Sequence, residues 1–416
     1  MFLDEIVAAQ NLGQARGIVS ICSAHPWVLK AAMQAAAGPL LIEATCNQVN
    51  QFGGYTGMNP ADFVGYVGGI AQENGFPLEN VLLGGDHLGP SVWQNEPAES
   101  AMQKAETLVR EYVQAGFVKI HLDCSMRLGD DSGHAFDVER SAERAASLAR
   151  VAEAVGNEDL RYVIGTEVPL PGGATEHEEG VRVTRVEDVR RTIEVTHAAF
   201  CQHGIEAAWE RVRAVVVQPG VEYGDDFVLA YRPEATRDLA GYIESEPQLV
   251  YEAHSTDYQT PQVLRNLVRD HFAILKVGPA LTFAFREAAF ALAMMENELF
   301  PPDERSNLIP GLDEAMLRHP EHWQTHYKGT KDQLALKRKY SLSDRVRYYW
   351  PMPEVQVRLD HLLKNLGGKP IPLSLVNQFI PVQYARILEG RLDNHPQAIL
   401  LDKVKSVLVD YSAACG

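Results

Sequence analysis

Eight short apolar runs, separated by longer segments with helical spacing, constrain this chain more than any other feature. They occupy residues 18–22, 40–43, 81–84, 118–122, 162–166, 214–217, 249–252 and 273–277. Most are continuous rather than alternating, as in parallel strands covered on both faces. Residues 26–37, 98–115, 141–155 and 186–203 carry the helical spacing, and Gly38-Pro39, Gly116, Gly156 and Gly204 supply the stops. Strand and helix repeated eight times predict an α/β fold, a (β/α)8 TIM barrel. An open doubly wound sheet is the competing architecture. It usually needs fewer strands, and the first turn has no G-x-G-x-x-G.

The 416 residues exceed a barrel of roughly 250. Residues 281–299 predict a closing helix, and Pro301-Pro302-Asp303-Glu304 breaks it. Helical patterns then follow at 311–318, 331–339, 343–350, 354–366, 373–388 and 396–413. The expected division is a barrel over 1–300 and a helical C-terminal extension over 301–416, packed on the barrel.

In such a barrel the C-terminal strand ends form the catalytic face. Here those ends carry Ser23 and His25; Glu43, Asn47 and Gln48; Asp86-His87; Asp123-Cys124-Ser125; Glu167; Gln218; His254 and Asp257; and Lys276 with Gly278. Burying so many polar groups in one pocket without a function is expensive. Asn47, Asp123 and Ser125 are accordingly candidate substrate contacts.

His87, Glu167 and His254 suit Zn²⁺ or a similar divalent ion with an open position, and Gln218 can add an amide oxygen. Such an ion acts as a Lewis acid on a ketose carbonyl. Asp86 is then placed to move a proton at a substrate hydroxyl. His25, His121 and His134 are expected to be satisfied polar residues near the core. Residues 169–180 combine glycine hinges with carboxylates. They fit either a lid with Glu178 as a proton-transfer acid or a solvated acidic loop. Lys276 and the amides from Gly278 onward can hold a phosphate at a helix start; a lysine there can instead form a Schiff base. Arg345 and Arg347, in the basic-aromatic segment 343–350, can reach a substrate phosphate or a neighbouring subunit. No G-x-x-x-x-G-K-[ST] supports a P-loop kinase.

The net charge of −17 argues against nucleic acid or an anionic membrane as the main partner. No apolar run approaches membrane-spanning length, and the first residues lack a basic region before an apolar core. The five cysteines are scattered, odd in number and without C-x-x-C spacing. These features predict a reduced, cytoplasmic protein.

Ser23-Ala24-His25-Pro26, the stretch Glu43 to Gln51, Gly53-Gly54-Tyr55-Thr56-Gly57-Met58, Gly85 to Pro90 and Tyr340 to Arg345 resemble signature stretches of the GatZ/KbaZ family. These are tagatose-bisphosphate aldolase subunits related to class II aldolases, and the resemblance covers nearly the whole chain. It implies a role in cleaving tagatose 1,6-bisphosphate to glycerone phosphate and glyceraldehyde 3-phosphate, in galactitol or N-acetylgalactosamine catabolism. It also implies an oligomeric assembly with a separate catalytic class II subunit. Other relatives resemble metal-dependent ketose or uronate epimerases. Asp86 and His87 match the class II acid and metal-binding His after strand three, Glu167 the strand-five acid, and His254 the strand-seven His. Gln218-Pro219-Gly220 stands where the pattern has His-Gly, a departure that weakens metal binding at that position.

Overall fold

The computed structural model describes residues 2–131, 137–166 and 181–416. Eight strands form a closed, all-parallel barrel in sequential order: β1 (Ile18–Ile21), β2 (Leu40–Thr45), β3 (Val81–Leu88), β4 (Lys119–Leu122), β5 (Arg161–Ile164), β6 (Val212–Val216), β7 (Val250–Ala253) and β8 (Phe272–Val277). Pairing of β8 with β1, Ile274 opposite Ile18, closes the ring. The (β/α)8 barrel expected from the eight apolar runs is therefore present. Helices cover the outer faces, which is why the strands read as continuous apolar runs. The helices Ala98–Ala115 and Val138–Val155 end at Gly116 and Gly156, both with left-handed backbone.

β3 runs further than its apolar residues. Ala44 and Thr45 of β2 stay in register with Gly85 and Asp86, so Asp86 and His87 lie within the strand rather than after it. Past residue 300 the expected helices appear with two differences. The segment 343–350 holds a single 3-10 turn, Arg345–Tyr348. The segment 373–388 divides into Leu373–Phe379 and Pro381–Leu388, because Pro381 lacks an N–H and drives Ile380 out of helical backbone (φ −143°). A two-stranded ribbon, Glu222–Tyr223 with Val228–Leu229, was too short for its pattern to be visible.

The last helix, Pro396–Cys415, packs against Pro26–Ala35, Pro261–Arg269 and Pro279–Leu299. The carbonyl of Cys415 accepts from Gly17 N at 2.8 Å. Tyr411 donates its hydroxyl to Thr256 O at 2.7 Å. The C-terminal end of the chain thus stands in the helical layer around the barrel.

The first helix, Phe2–Asn11, plugs the end at which the strands begin. Leu3, Ile6 and Val7 are buried with Ile18, Leu41, Val163, Val216 and Ile274. Asp4 fixes the plug, meeting Arg161 at 2.6 Å and Arg213 at 2.6 Å. Partial burial works against its charge, but the two guanidiniums outweigh it and hold its pKa well below the carboxylate range. A depressed pKa contributes stability above the unfolded-state value and loses it as pH falls through the folded one. Asp4→Asn is therefore expected to lower unfolding free energy by about 1 kcal/mol at neutral pH. The gap to the parent should close as denaturant titrations move below about pH 4.

Candidate metal centre

Inside the barrel the charges are almost wholly buried. Lys119 lies 2.6 Å from Glu43 and 2.7 Å from Glu252, with all three side chains at 0% exposure. Lys276 pairs with Asp86, and lies 3.4 Å from Glu43 and 3.6 Å from Glu252. Burial works against the charge of Glu252, yet Lys119 and Lys276 hold its pKa well below the usual range. Asp123 is buried beside them, on His87. Two ammoniums thus face four carboxylates (Glu43, Glu252, Asp86 and Asp123). Such an excess is costly in a medium of low dielectric unless another cation joins it.

Three imidazoles stand against this acidic set. The ring centroids of His87, His121 and His254 lie 5.0, 5.1 and 5.3 Å apart, a near-equilateral triangle. Each ring has one nitrogen on a carboxylate: His87 Nδ1 on Asp123 at 2.7 Å, His121 Nδ1 on Asp86 at 3.0 Å, and His254 Nε2 on Glu252 at 3.0 Å. A carboxylate accepts, so Nδ1 of His87 and Nε2 of His254 carry a proton, whereas Nδ1 of His121 also takes the backbone N–H of His87 at 3.2 Å. The opposite nitrogen of His254, Nδ1, is left with a lone pair, and Nε2 of His87 lies 3.6 Å from Asp86. Burial keeps His121 below its ordinary pKa despite Asp86. Burial, reinforced by Lys276, pushes His254 down to about 3. These two rings are neutral, as ligands must be. Nε2 of His121 is buried with no hydrogen-bond partner.

One ligand-capable atom from each of Asp86, His87, His121 and His254 lies within 4.8 Å of the others. Carboxylate-oriented imidazoles around a charge-deficient point fit a divalent ion. His87 itself has left-handed backbone, φ 49°, where the ladder to β4 shifts register between Gly85 and Leu88. A non-glycine residue held there costs about 1–3 kcal/mol, and such strain concentrates at functional sites. Close approach is also built in at Gly89, where a Cβ would meet Asp123 O at 1.8 Å.

Asp86, His87 and His254 come together as the strand ends suggested. His121, expected to be a satisfied core histidine, is instead the third imidazole. Its signal was the alternation Lys119, His121, Asp123, which puts all three on one face of a strand. The side-chain oxygen of Gln218 accepts from Gly220 N at 2.8 Å and its backbone pairs with Thr184. Glu167, Glu178 and His134 lie outside the described residues. Lys276 is held by carboxylates. The amides of Gly278 and Ala280 donate to Asp257 at 3.1 and 2.8 Å, so that helix start is already occupied. Ser125 supports Asp123, its hydroxyl donating at 2.6 Å. Arg345 points to His322 O at 3.3 Å and His326 Nδ1 at 2.9 Å. Burial pushes the Cys22 and Cys124 thiols up, which keeps them neutral.

A cavity of about 420 Å³ opens beside the cluster. Asp86, His87, His254 and Lys276 form its floor; Asn47, Gln48 and Tyr55 line it from the segment after β2; Arg347, Tyr348 and Trp350 line it from the C-terminal segment.

Over residues 3–416 the chain matches the family described as D-tagatose-1,6-bisphosphate aldolase subunit GatZ/KbaZ-like. It belongs to the GatZ/KbaZ-like family. The D-tagatose-1,6-bisphosphate aldolase subunit GatZ of Salmonella heidelberg (strain SL476) is 51% identical, over 99% of each chain. That of Salmonella typhimurium is similar to the same degree. A solved structure, a probable tagatose 6 phosphate kinase from Sinorhizobium meliloti 1021, has a TM-score of 0.90 and 46% identity. The likeness covers 96% of this chain and 100% of that one. Among the described residues no helix is long and apolar enough to cross a membrane.

Two outcomes are expected of this GatZ/KbaZ-like site. Asp123→Asn should weaken divalent-metal affinity by ~10–100-fold in an equilibrium titration, because it loosens the orientation and basicity of His87. Lys119→Met should lower unfolding free energy by about 3–5 kcal/mol, because it strands two buried carboxylates; a cost near zero would mean that Lys119 does not hold that charge layer.

Proposed function

We propose that this chain is a subunit of a D-tagatose-1,6-bisphosphate aldolase. It holds a divalent ion at His87, His121 and His254, with Asp86 beside them, and binds the sugar bisphosphate in the adjoining cavity. The nitrogen-rich donor set favours zinc. The observation that carries the proposal is the triangle of three imidazoles, each oriented by its own carboxylate, in a chain that matches aldolase subunits from end to end. A separate catalytic class II subunit completes the enzyme, which releases glycerone phosphate and glyceraldehyde 3-phosphate.

When bound, the ion supplies Lewis acidity to a ketose carbonyl. The protein's residues do the rest. Burial works against the charge of Asp86, but His87, Lys276 and His121 hold its pKa well below the usual range, so it stands ionised. From that position it orients a substrate hydroxyl and accepts its proton as the adjacent C–C bond breaks. Lys276 balances the carboxylate before the transfer.

A metal-dependent ketose epimerase, active without a partner, is a second assignment. One observation favours it: acid, imidazoles and cavity all come from this single chain.

Metal analysis of the purified chain decides first. Aldol cleavage and epimerisation are then assayed for the chain alone and with a class II partner. The parent is expected to retain a divalent ion and to raise the partner's cleavage rate, and His87→Ala and His254→Ala to lose both. Stimulation that survives both substitutions, with no metal bound in the parent, would sink the proposal. Epimerisation by the chain alone, lost in both variants, would establish the second assignment instead.

A further inference from the structure

A sugar phosphate entering the cavity needs a cation to meet it, and most of the candidate groups are already engaged. Lys276 is neutralised by Asp86, Glu43 and Glu252. The helix-start amides of Gly278 and Ala280 are held by Asp257. Arg345 is turned to His322 and His326 and is absent from the cavity wall.

Arg347 is different. It lines the cavity. Its guanidinium donates to the carbonyls of Ser343 and Asp344, the latter at 3.2 Å, and to the Tyr348 hydroxyl at 2.9 Å. None of these partners is an anion. The neighbouring acid, Asp344, is engaged by Arg286 at 2.8 Å and Thr282 at 2.7 Å. Among the described residues no carboxylate makes an ion pair with Arg347. A half-buried guanidinium on a cavity wall without a counter-ion is placed to take a ligand anion.

The group is also held in place. Its carbon lies 4.5 Å from the centroid of the Tyr348 ring. Tyr348 in turn is stacked on His322 at 4.7 Å and meets Tyr55 edge-on at 4.8 Å. Tyr55 comes from the glycine-rich stretch after β2, and Arg347 from the segment just past Tyr340 to Arg345. Two sequence stretches with no role in the metal cluster therefore meet at this wall.

We propose that Arg347 anchors the phosphate monoester of the sugar substrate and sets the preference for phosphorylated over free ketose. The planar fork of a guanidinium matches phosphate oxygens in pairs, which an ammonium cannot do. The identity of the anion rests on the aldolase-subunit assignment, whereas the anchoring role rests on the geometry.

Calorimetric titration of the full chain with D-tagatose 1,6-bisphosphate and with D-tagatose tests this. Arg347→Gln is expected to weaken bisphosphate binding by ~30-fold or more, and to bind D-tagatose as the parent does. Arg347→Lys should fall between the two. Retained metal content in each variant reports an intact barrel site. If Arg347→Gln loses its metal, the Lys variant decides by the same comparison of the two sugars. Equal loss of affinity for both sugars, or bisphosphate binding left intact, overturns the anchor while leaving the aldolase assignment standing. A parent that binds a ketouronate and not the bisphosphate overturns that assignment, and the phosphate with it.

Discussion

The charge layer inside the barrel is the constraint on which the site depends. Lys119 sits between Glu43 and Glu252 with no exposure, and Lys276 ties both acids to Asp86. Carboxylates at this depth are tolerable only when paired. The pairing is incomplete, and the deficit lies where the three imidazoles converge. Structural lysines and candidate metal ligands are thus parts of one electrostatic arrangement. Changing one member alters the balance for the others.

Orientation follows from the same carboxylates. Asp123, Asp86 and Glu252 each hold one nitrogen of one histidine, which fixes how the three rings are turned. Backbone strain at His87 and the bulge beside it place that ring where a regular strand would not. Burial keeps His121 and His254 neutral, so a cation would not first have to displace protons from them.

The C-terminal segment makes this barrel mouth a cavity. Arg347, Tyr348 and Trp350 form a wall facing the strand ends, and the final helix returns to pack beside the first and seventh strand–helix units. The enclosure of the site therefore depends on chain well past Val277, where the last barrel strand ends. Membership of the GatZ/KbaZ-like family extends over this whole length, in keeping with that dependence.

The sequence by itself determined the barrel, because continuous apolar runs between helical segments have few other ways to bury both faces of a sheet. It also marked Asp86, His87 and His254, since strand ends of a barrel share one face. It undervalued His121, although Lys119, His121 and Asp123 alternate on one strand, because a single imidazole on an apolar run looks like packing until its partners on other strands are known. Gln218 and Arg345 carried suitable chemistry at suitable positions, yet local hydrogen bonds turn both elsewhere. Only the tertiary structure could decide between Arg345 and Arg347, two residues apart in one short turn. Which of them faces the cavity depends on acceptors supplied by His322 and His326 on one side and Tyr348 on the other, and sequence spacing does not encode those contacts.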